Sequence, residues 1–162
     1  LRIVAGSLAH ADAVEAVVRD ADAVISMLGV RKGDTAAICT DGVGSIVRAM
    51  DAAGARRLIA LSAYGASETR KASLFIRLVR KIIAAKMRDK DGMEAVVRAS
   101  GLDWTLVRPA VLTNGPHTGH VRAGASLRPG LAGRISRADL AAFLLREAAD
   151  GNDIGGAVVV SR

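Results

Sequence analysis

Ser100-Gly-Leu-Asp-Trp-Thr-Leu-Val-Arg-Pro-Ala-Val-Leu-Thr-Asn114 is the stretch on which the reading of the chain turns. Just upstream, Met93-Glu94-Ala-Val-Val-Arg-Ala-Ser100 has the apolar spacing of a helix. Gly101 stands where a helix C-terminus takes a residue able to adopt positive φ. Trp104 to Val107 is apolar and β-favouring, as a short buried strand is. Arg108-Pro109 is predicted to stop it, because proline has no N–H for a sheet ladder and restricts the residue before it. The unit is therefore helix, glycine cap, strand and proline-led loop. In open α/β sheets that loop lies at the edge where ligands bind.

The same alternation extends in both directions. Leu1–Val4 reads as a strand with Ala5-Gly6-Ser7 as its exit, Ala9–Asp20 as a helix and Ala23–Leu28 as a second strand ended by Gly29. A loop through Lys32-Gly33-Asp34 leads to a helix with Val43, Ile46, Val47 and Met50 on one face, closed by Gly54. Arg57–Leu61 is the third strand. A long helical region over about Ser73–Ser100 is predicted to break near Asp91-Gly92, and Leu102–Val107 is the fourth strand. His120–Ala123 is a short strand, Ser136 caps a helix carrying Leu140, Phe143, Leu144 and Leu145, and Ala157–Val160 is a final strand. Near-continuously apolar strands alternating with helices predict a parallel sheet covered on both faces, in one α/β domain spanning residues 1–162.

The composition narrows the function. Apolar residues make up 51% of 162 residues, yet Phe75, Phe143, Tyr64 and Trp104 are the only aromatic ones, so the core is built from Ala, Val, Leu and Ile. No apolar run reaches the ~20 residues that span a bilayer, and no secretory signal pattern is present. The single cysteine, Cys39, excludes an internal disulfide, fits a reducing cytoplasm and reads as a small core residue. The charge of +7 is concentrated. Arg70, Lys71, Arg77, Arg80, Lys81, Lys86, Arg88 and Lys90 are opposed within that span only by Asp89, an excess equal to that of the whole chain. His117 and His120 share a loop without acidic or thiol neighbours, which argues against a metal site. Asp139, near the helix start at Ser136, is explained by helix capping.

Ser100-Gly-Leu-Asp-Trp-Thr-Leu-Val-Arg-Pro109, with Leu112-Thr-Asn-Gly-Pro116 after it, resembles the atypical short-chain dehydrogenase/reductases. The closest resemblance is to the small NAD(P)H-binding branch containing flavin (biliverdin) reductases and cofactor-sensing regulators. It implies a doubly wound Rossmann-type sheet and NADP or NAD as cofactor. It also implies that this chain begins at the family's third strand and lacks the first strand–helix–strand with its glycine-rich phosphate loop. On that expectation Leu1–Val4 lies across a gap from Ala23–Leu28 or collapses against it, dinucleotide binding is weak, and the residues that distinguish NADH from NADPH are missing. Gly42-Val-Gly44 lacks the third glycine of such a loop and reads as a helix-entry feature.

The site residues follow from the resemblance. Ala5-Gly6-Ser7-Leu8 matches an adenine contact, with Ser7 in place of the family's aspartate, and Leu28-Gly29-Val30 matches a contact beside the adenine ribose. Ser62-Ala63-Tyr64 matches the strand end near the nicotinamide, where Ser62 is the candidate to orient a substrate carbonyl and Ala63 borders the cofactor or, one residue out of register, holds the family's serine position. Pro109-Ala110-Val111-Leu112 matches the loop that holds the nicotinamide amide. Lys90 stands in the lysine position of the superfamily's Tyr-x-x-x-Lys pair and is the candidate to contact the cofactor ribose or a substrate, but Lys86 occupies the tyrosine position, so no catalytic acid is evident. The implied function is hydride transfer from NAD(P)H to a flavin or other small acceptor. A non-catalytic NAD(P)H-sensing regulator is the alternative. Leu74, Phe75, Leu78, Val79, Ile82 and Ile83 form one face of a basic amphipathic helix, with Arg77 and Arg80 off it. The resemblance favours a core or lid helix over a membrane-surface one, the spacing predicts Leu78 and Ile82 buried and Arg77 and Arg80 exposed, and nothing favours nucleic acid.

Overall fold

A computed structural model describes residues 3–30, 37–130 and 132–162. Five strands form a sheet in the order β1 (Val24–Ser26), β2 (Arg57–Leu61), β3 (Asp103–Pro109), β7 (Gly156–Ser161), β5 (Arg122–Gly124). The first four are mutually parallel, and β5 runs antiparallel to β7 at the far edge. A two-stranded parallel ribbon, β4 (Val111–Thr113) with β6 (Arg134–Ser136), follows β3 and was not anticipated from the sequence. The helices are α1 (Ala11–Val18), α2 (Ile38–Ala53), α3 (Leu74–Ile82), α4 (Ala84–Ala99) and α5 (Arg137–Asp150), with a 3-10 turn at Ser67–Lys71. The result is a Rossmann-type, doubly wound sheet.

Strand alternation sorts the core into two layers. Leu58, Ala60 and Leu106 pack with α1, α2 and α4 through Val14, Val43, Met50, Met93 and Val97. Ile59, Val107, Val158 and Val160 pack on the other face against Leu140 and Leu144 of α5. Coverage of both faces is why these strands read as unbroken apolar runs. Gly101, at φ +68°, turns the chain from α4 into β3 as its position predicts.

Several boundaries differ from expectation. Ile3 and Val4 belong to no strand and are exposed, while Leu1, Arg2 and the loop at Lys32-Gly33-Asp34 lie outside the described residues. β3 stops at Pro109, as expected, although Arg108 and Pro109 themselves pair in the sheet, Pro109 opposite Val160, and the Pro109 carbonyl accepts the Tyr64 N–H at 3.0 Å. The helical region breaks at Ile83, between α3 and α4, and not at Asp91-Gly92. Gly92 is instead a point of close approach. A Cβ there would stand 2.6 Å from Thr40 Oγ1 on α2. Gly42 likewise lies inside α2, where a Cβ would meet Leu28 and Leu8 within 3 Å, so it serves packing and not a phosphate turn. Asp139 does more than cap α5. Buried, it accepts the N–H groups of Thr118 and Gly119 and the hydroxyl of Ser136, which pins the preceding loop to the helix start.

Gly92→Ala separates the two readings of that glycine. A helix break would be repaired by alanine, whereas a contact point costs about 1–3 kcal/mol through overpacking against Thr40. A lowered urea midpoint is the expected outcome.

Candidate functional site

One turn of α4 assembles the carboxyl edge of the sheet. The Asp89 carboxylate accepts the N–H groups of Cys39 and Thr40 at 2.9 Å each and the Thr40 hydroxyl at 2.8 Å. Ala37, the residue before α2, provides no side-chain cap, so Asp89 satisfies the orphan N–H groups of that helix from 49 and 50 residues away. Burial opposes ionisation of Asp89, but these donors hold its carboxyl below the ordinary aspartate range.

Lys90 turns the other way. Its Nζ donates to Leu28 O at 2.8 Å and Leu61 O at 2.6 Å, so one ammonium clasps the ends of β1 and β2. Burial pushes its pKa down, against the pull of Cys39, Asp89 and Glu94. Asp91 accepts Ser67 N–H at 2.7 Å and pairs with Arg80 of α3 at 2.6 Å. Arg80 also donates to Gly65 O at 2.6 Å. Glu94, fully buried, receives the Ser62 hydroxyl at 2.6 Å and Arg108 Nε at 2.9 Å. Arg108 continues the chain of charges to Glu68, which Arg98 reaches at 2.8 Å, and Arg98 lies 5.3 Å from the centre of the Trp104 ring. The carboxylates of Glu94 and Glu68 raise the Arg108 pKa despite its burial.

Above this platform lies a chamber of about 390 Å³. Ala63, Tyr64, Pro109, Ala110 and Val111 form its floor, Phe75, Ile76, Val79, Arg80 and Ile83 its α3 wall, and Pro129, Gly130 and Gly133 its far side. Four of the expected cofactor residues, Ala63, Pro109, Ala110 and Val111, therefore meet in one space. The N–H groups of Ala110 and Val111 already donate to Val160 O and Gly133 O, so they present surface there and not free donors. Leu28, Gly29 and Val30 stand at the same sheet edge, after β1, without lining the chamber. Leu112 packs on the α5-side core. Ser7 and Leu8 line a different cavity, about 1100 Å³, between α2 and the end of α4. Ser62 is only 4% exposed, with its hydroxyl turned to Glu94 and away from the chamber.

Tyr64 belongs to the strand-end match Ser62-Ala63-Tyr64, but the sequence assigns it no role of its own. It lines both the chamber and a neighbouring 440 Å³ pocket with Lys71, Arg108 and Arg128. It is the chain's one tyrosine, three residues past the end of β2, and that was the available signal. Among the described residues no cluster of His, Cys, Asp or Glu is arranged to hold a metal, and no helix is long and apolar enough to cross a membrane. An apolar chamber at the carboxyl edge, floored by the strand ends after β2 and β3, fits the nicotinamide end of a dinucleotide. A glycine-rich phosphate turn is not found among the described residues, the paired glycines at Gly42 and Gly44 being helical.

Residues 1–151 match the model of a family described as NAD(P)H-binding. No curated protein sequence matches the chain. Among solved structures, ChuY, an anaerobilin reductase from Escherichia coli, superposes with a TM-score of 0.81 at 21% identity, over 96% of this chain and 72% of that one. A putative exported protein from Burkholderia pseudomallei gives 0.81 at 21%, over 96% and 79%. A short-chain dehydrogenase/reductase from Veillonella parvula in complex with NADP gives 0.74 at 19%, over 97% and 70%. At such identities the likeness is one of fold.

The Asp89 cap yields a pH prediction. Its carboxyl is held below its unfolded value, so the stabilisation is present above about pH 4 and is lost as pH falls through the folded value. Asp89→Asn, which turns an amide NH2 toward one of the two helix N–H groups, should cost about 1–3 kcal/mol at neutral pH. Urea midpoints of the variant and the native chain should converge in acid.

Proposed function

The chain belongs to the NAD(P)H-binding family, and we propose that it is an NAD(P)H-dependent reductase acting on a flavin or another small acceptor held beneath α3. The observation that carries this reading is the chamber itself, in which Ala63, Pro109, Ala110 and Val111 converge under the apolar wall of α3. When bound, the dihydronicotinamide supplies a hydride. The protein's part is positioning. Ala63 and the Pro109–Val111 segment give the ring a flat apolar bed. Leu28, Gly29 and Val30, after β1, border the adenine ribose of the same dinucleotide. Phe75, Ile76 and Val79 exclude water from the acceptor side.

Ser62 and Lys90 take supporting roles in this scheme. Lys90 keeps the ends of β1 and β2 in register by binding both carbonyls. Ser62, through Glu94 and Arg108, fixes the strand end that carries Ala63 and Tyr64. Tyr64 is the side chain lining the chamber whose hydroxyl can hold a proton for the reduced acceptor, in place of the tyrosine missing at position 86. An acceptor such as oxidised flavin, which needs mainly ring placement, makes little use of it.

Steady-state oxidation of saturating NADPH tests the proposal, with flavin mononucleotide and a panel of planar carbonyl acceptors. Turnover with at least one acceptor is expected, and Val111→Trp, which fills the chamber, should abolish it. Tyr64→Phe should lower kcat for a carbonyl acceptor by about 10²-fold and leave flavin reduction unchanged. NADPH binding without turnover on any acceptor would favour the sensing regulator instead.

A further inference from the structure

The outer face of α3 is at odds with a buried lid. Leu78 is 58% and Ile82 74% exposed, against the expectation that both are buried, and Leu74 is 77% exposed. These three residues recur at intervals of four and form one continuous stripe. The helix cannot roll to hide it. Ser73 Oγ caps the first turn by accepting Ile76 N–H at 3.1 Å. Ile76 is buried on the opposite side, and Arg80 is held by Gly65 and Asp91. The stripe is therefore presented outward by construction.

The segment that carries it, residues 70–90, exposes charge of one sign, and the nearest acids, Glu68 and Asp91, are paired to Arg98 and Arg108 and to Arg80. Arg80 is tied to Asp91, and Lys90 is clasped by strand carbonyls. That leaves Arg70, Lys71, Arg77, Lys81, Lys86 and Arg88, all exposed, while Asp89, the only acid from 70 to 90, is buried under α2. Arg77 and Lys81 sit immediately beside Leu74 and Leu78 on the helical wheel. In that position their stems can lie along the apolar stripe with their charges at a higher level.

We infer that α3 docks this protein on an anionic lipid bilayer, with Leu74, Leu78 and Ile82 entering the acyl boundary and the flanking cations binding headgroup phosphates. Apolar residues of this size on an anchored helix flanked by cations are the pattern of an interfacial helix. A second copy of the chain is the poorer occupant, because it would oppose six cations with six. A nucleic acid leaves the aliphatic stripe without a partner. The inner side of the same helix walls the chamber through Phe75, Ile76 and Val79, so docking sets the chamber at headgroup depth. The inference does not depend on whether the chamber performs reduction.

Vesicle co-sedimentation of the whole chain tests it, using phosphatidylcholine alone and an equimolar mixture with phosphatidylserine. Binding to the mixed vesicles only, weakening with salt, is expected. Leu78→Asp with Ile82→Asp should reduce it at least about tenfold. Arg77→Gln and Lys81→Gln should each reduce it roughly fivefold. None of these four residues lines the chamber, and circular dichroism of each variant should match the native chain. Failure of the native chain to sediment with mixed vesicles would overturn the inference, as would undiminished binding by the double aspartate variant. A dimer in sedimentation equilibrium that the same aspartates disperse would also overturn it.

Discussion

Asp89 and Lys90, consecutive on α4, make the two bonds on which the functional edge depends. A helix places neighbouring side chains about 100° apart, so successive residues can serve different layers of the fold. Asp89 reaches outward to cap α2, and Lys90 reaches in to join the ends of β1 and β2. The same turn continues with Asp91 holding α3 through Arg80, Gly92 admitting Thr40, and Glu94 receiving Ser62 and Arg108. Side chains within a turn and a half of helix thus fix α2, α3 and three strand ends relative to one another. Small movements of α4 would be transmitted to the floor of the chamber and to its α3 wall.

The charges in that turn are stable because each is partnered. Glu94 is wholly buried and Arg108 nearly so, and either alone would be strongly disfavoured away from water. Together, with Ser62 and Glu68 completing the network, they form a rigid post under the strand end that bears Ala63 and Tyr64. A buried ion pair adds little net stability compared with apolar packing. Its value here is geometric, since bonds to a fork-shaped guanidinium fix direction as well as distance.

What was legible in the sequence was what is local. Gly101 and Gly54 end helices because they adopt positive φ, a property of the residue itself. Arg57–Leu61 forms a strand over the range that its apolar run predicts. The chamber floor at Ala63 and Pro109–Val111 followed from their place after strands in a recognisable pattern. What was misread depends on partners distant in sequence. Gly92 looks like a helix break until Thr40 is seen 52 positions earlier in the chain, lying where its Cβ would be. Ser62 looks like a free hydroxyl until Glu94 arrives from 32 residues on. The periodicity of α3 revealed an apolar stripe but not which way it faces. Arg80 and its distant acceptors decide that, and they turn Leu78 and Ile82 outward. The ribbon of β4 and β6 was missed because Val111–Thr113 reads as part of the proline-led loop and Arg134–Ser136 as the entry to α5, and the two strands pair only with each other.

On the reading proposed above, the space walled by α3 and floored by Ala63 and Pro109–Val111 receives the nicotinamide ring. Intermolecular nuclear Overhauser effects between NADPH and methyl-labelled protein address it directly. The expected result is contact from the nicotinamide ring protons to the methyl groups of Ala63, Ala110 or Val111. Contacts confined to Leu8 and Val47, in the cavity between α2 and α4, would contradict it.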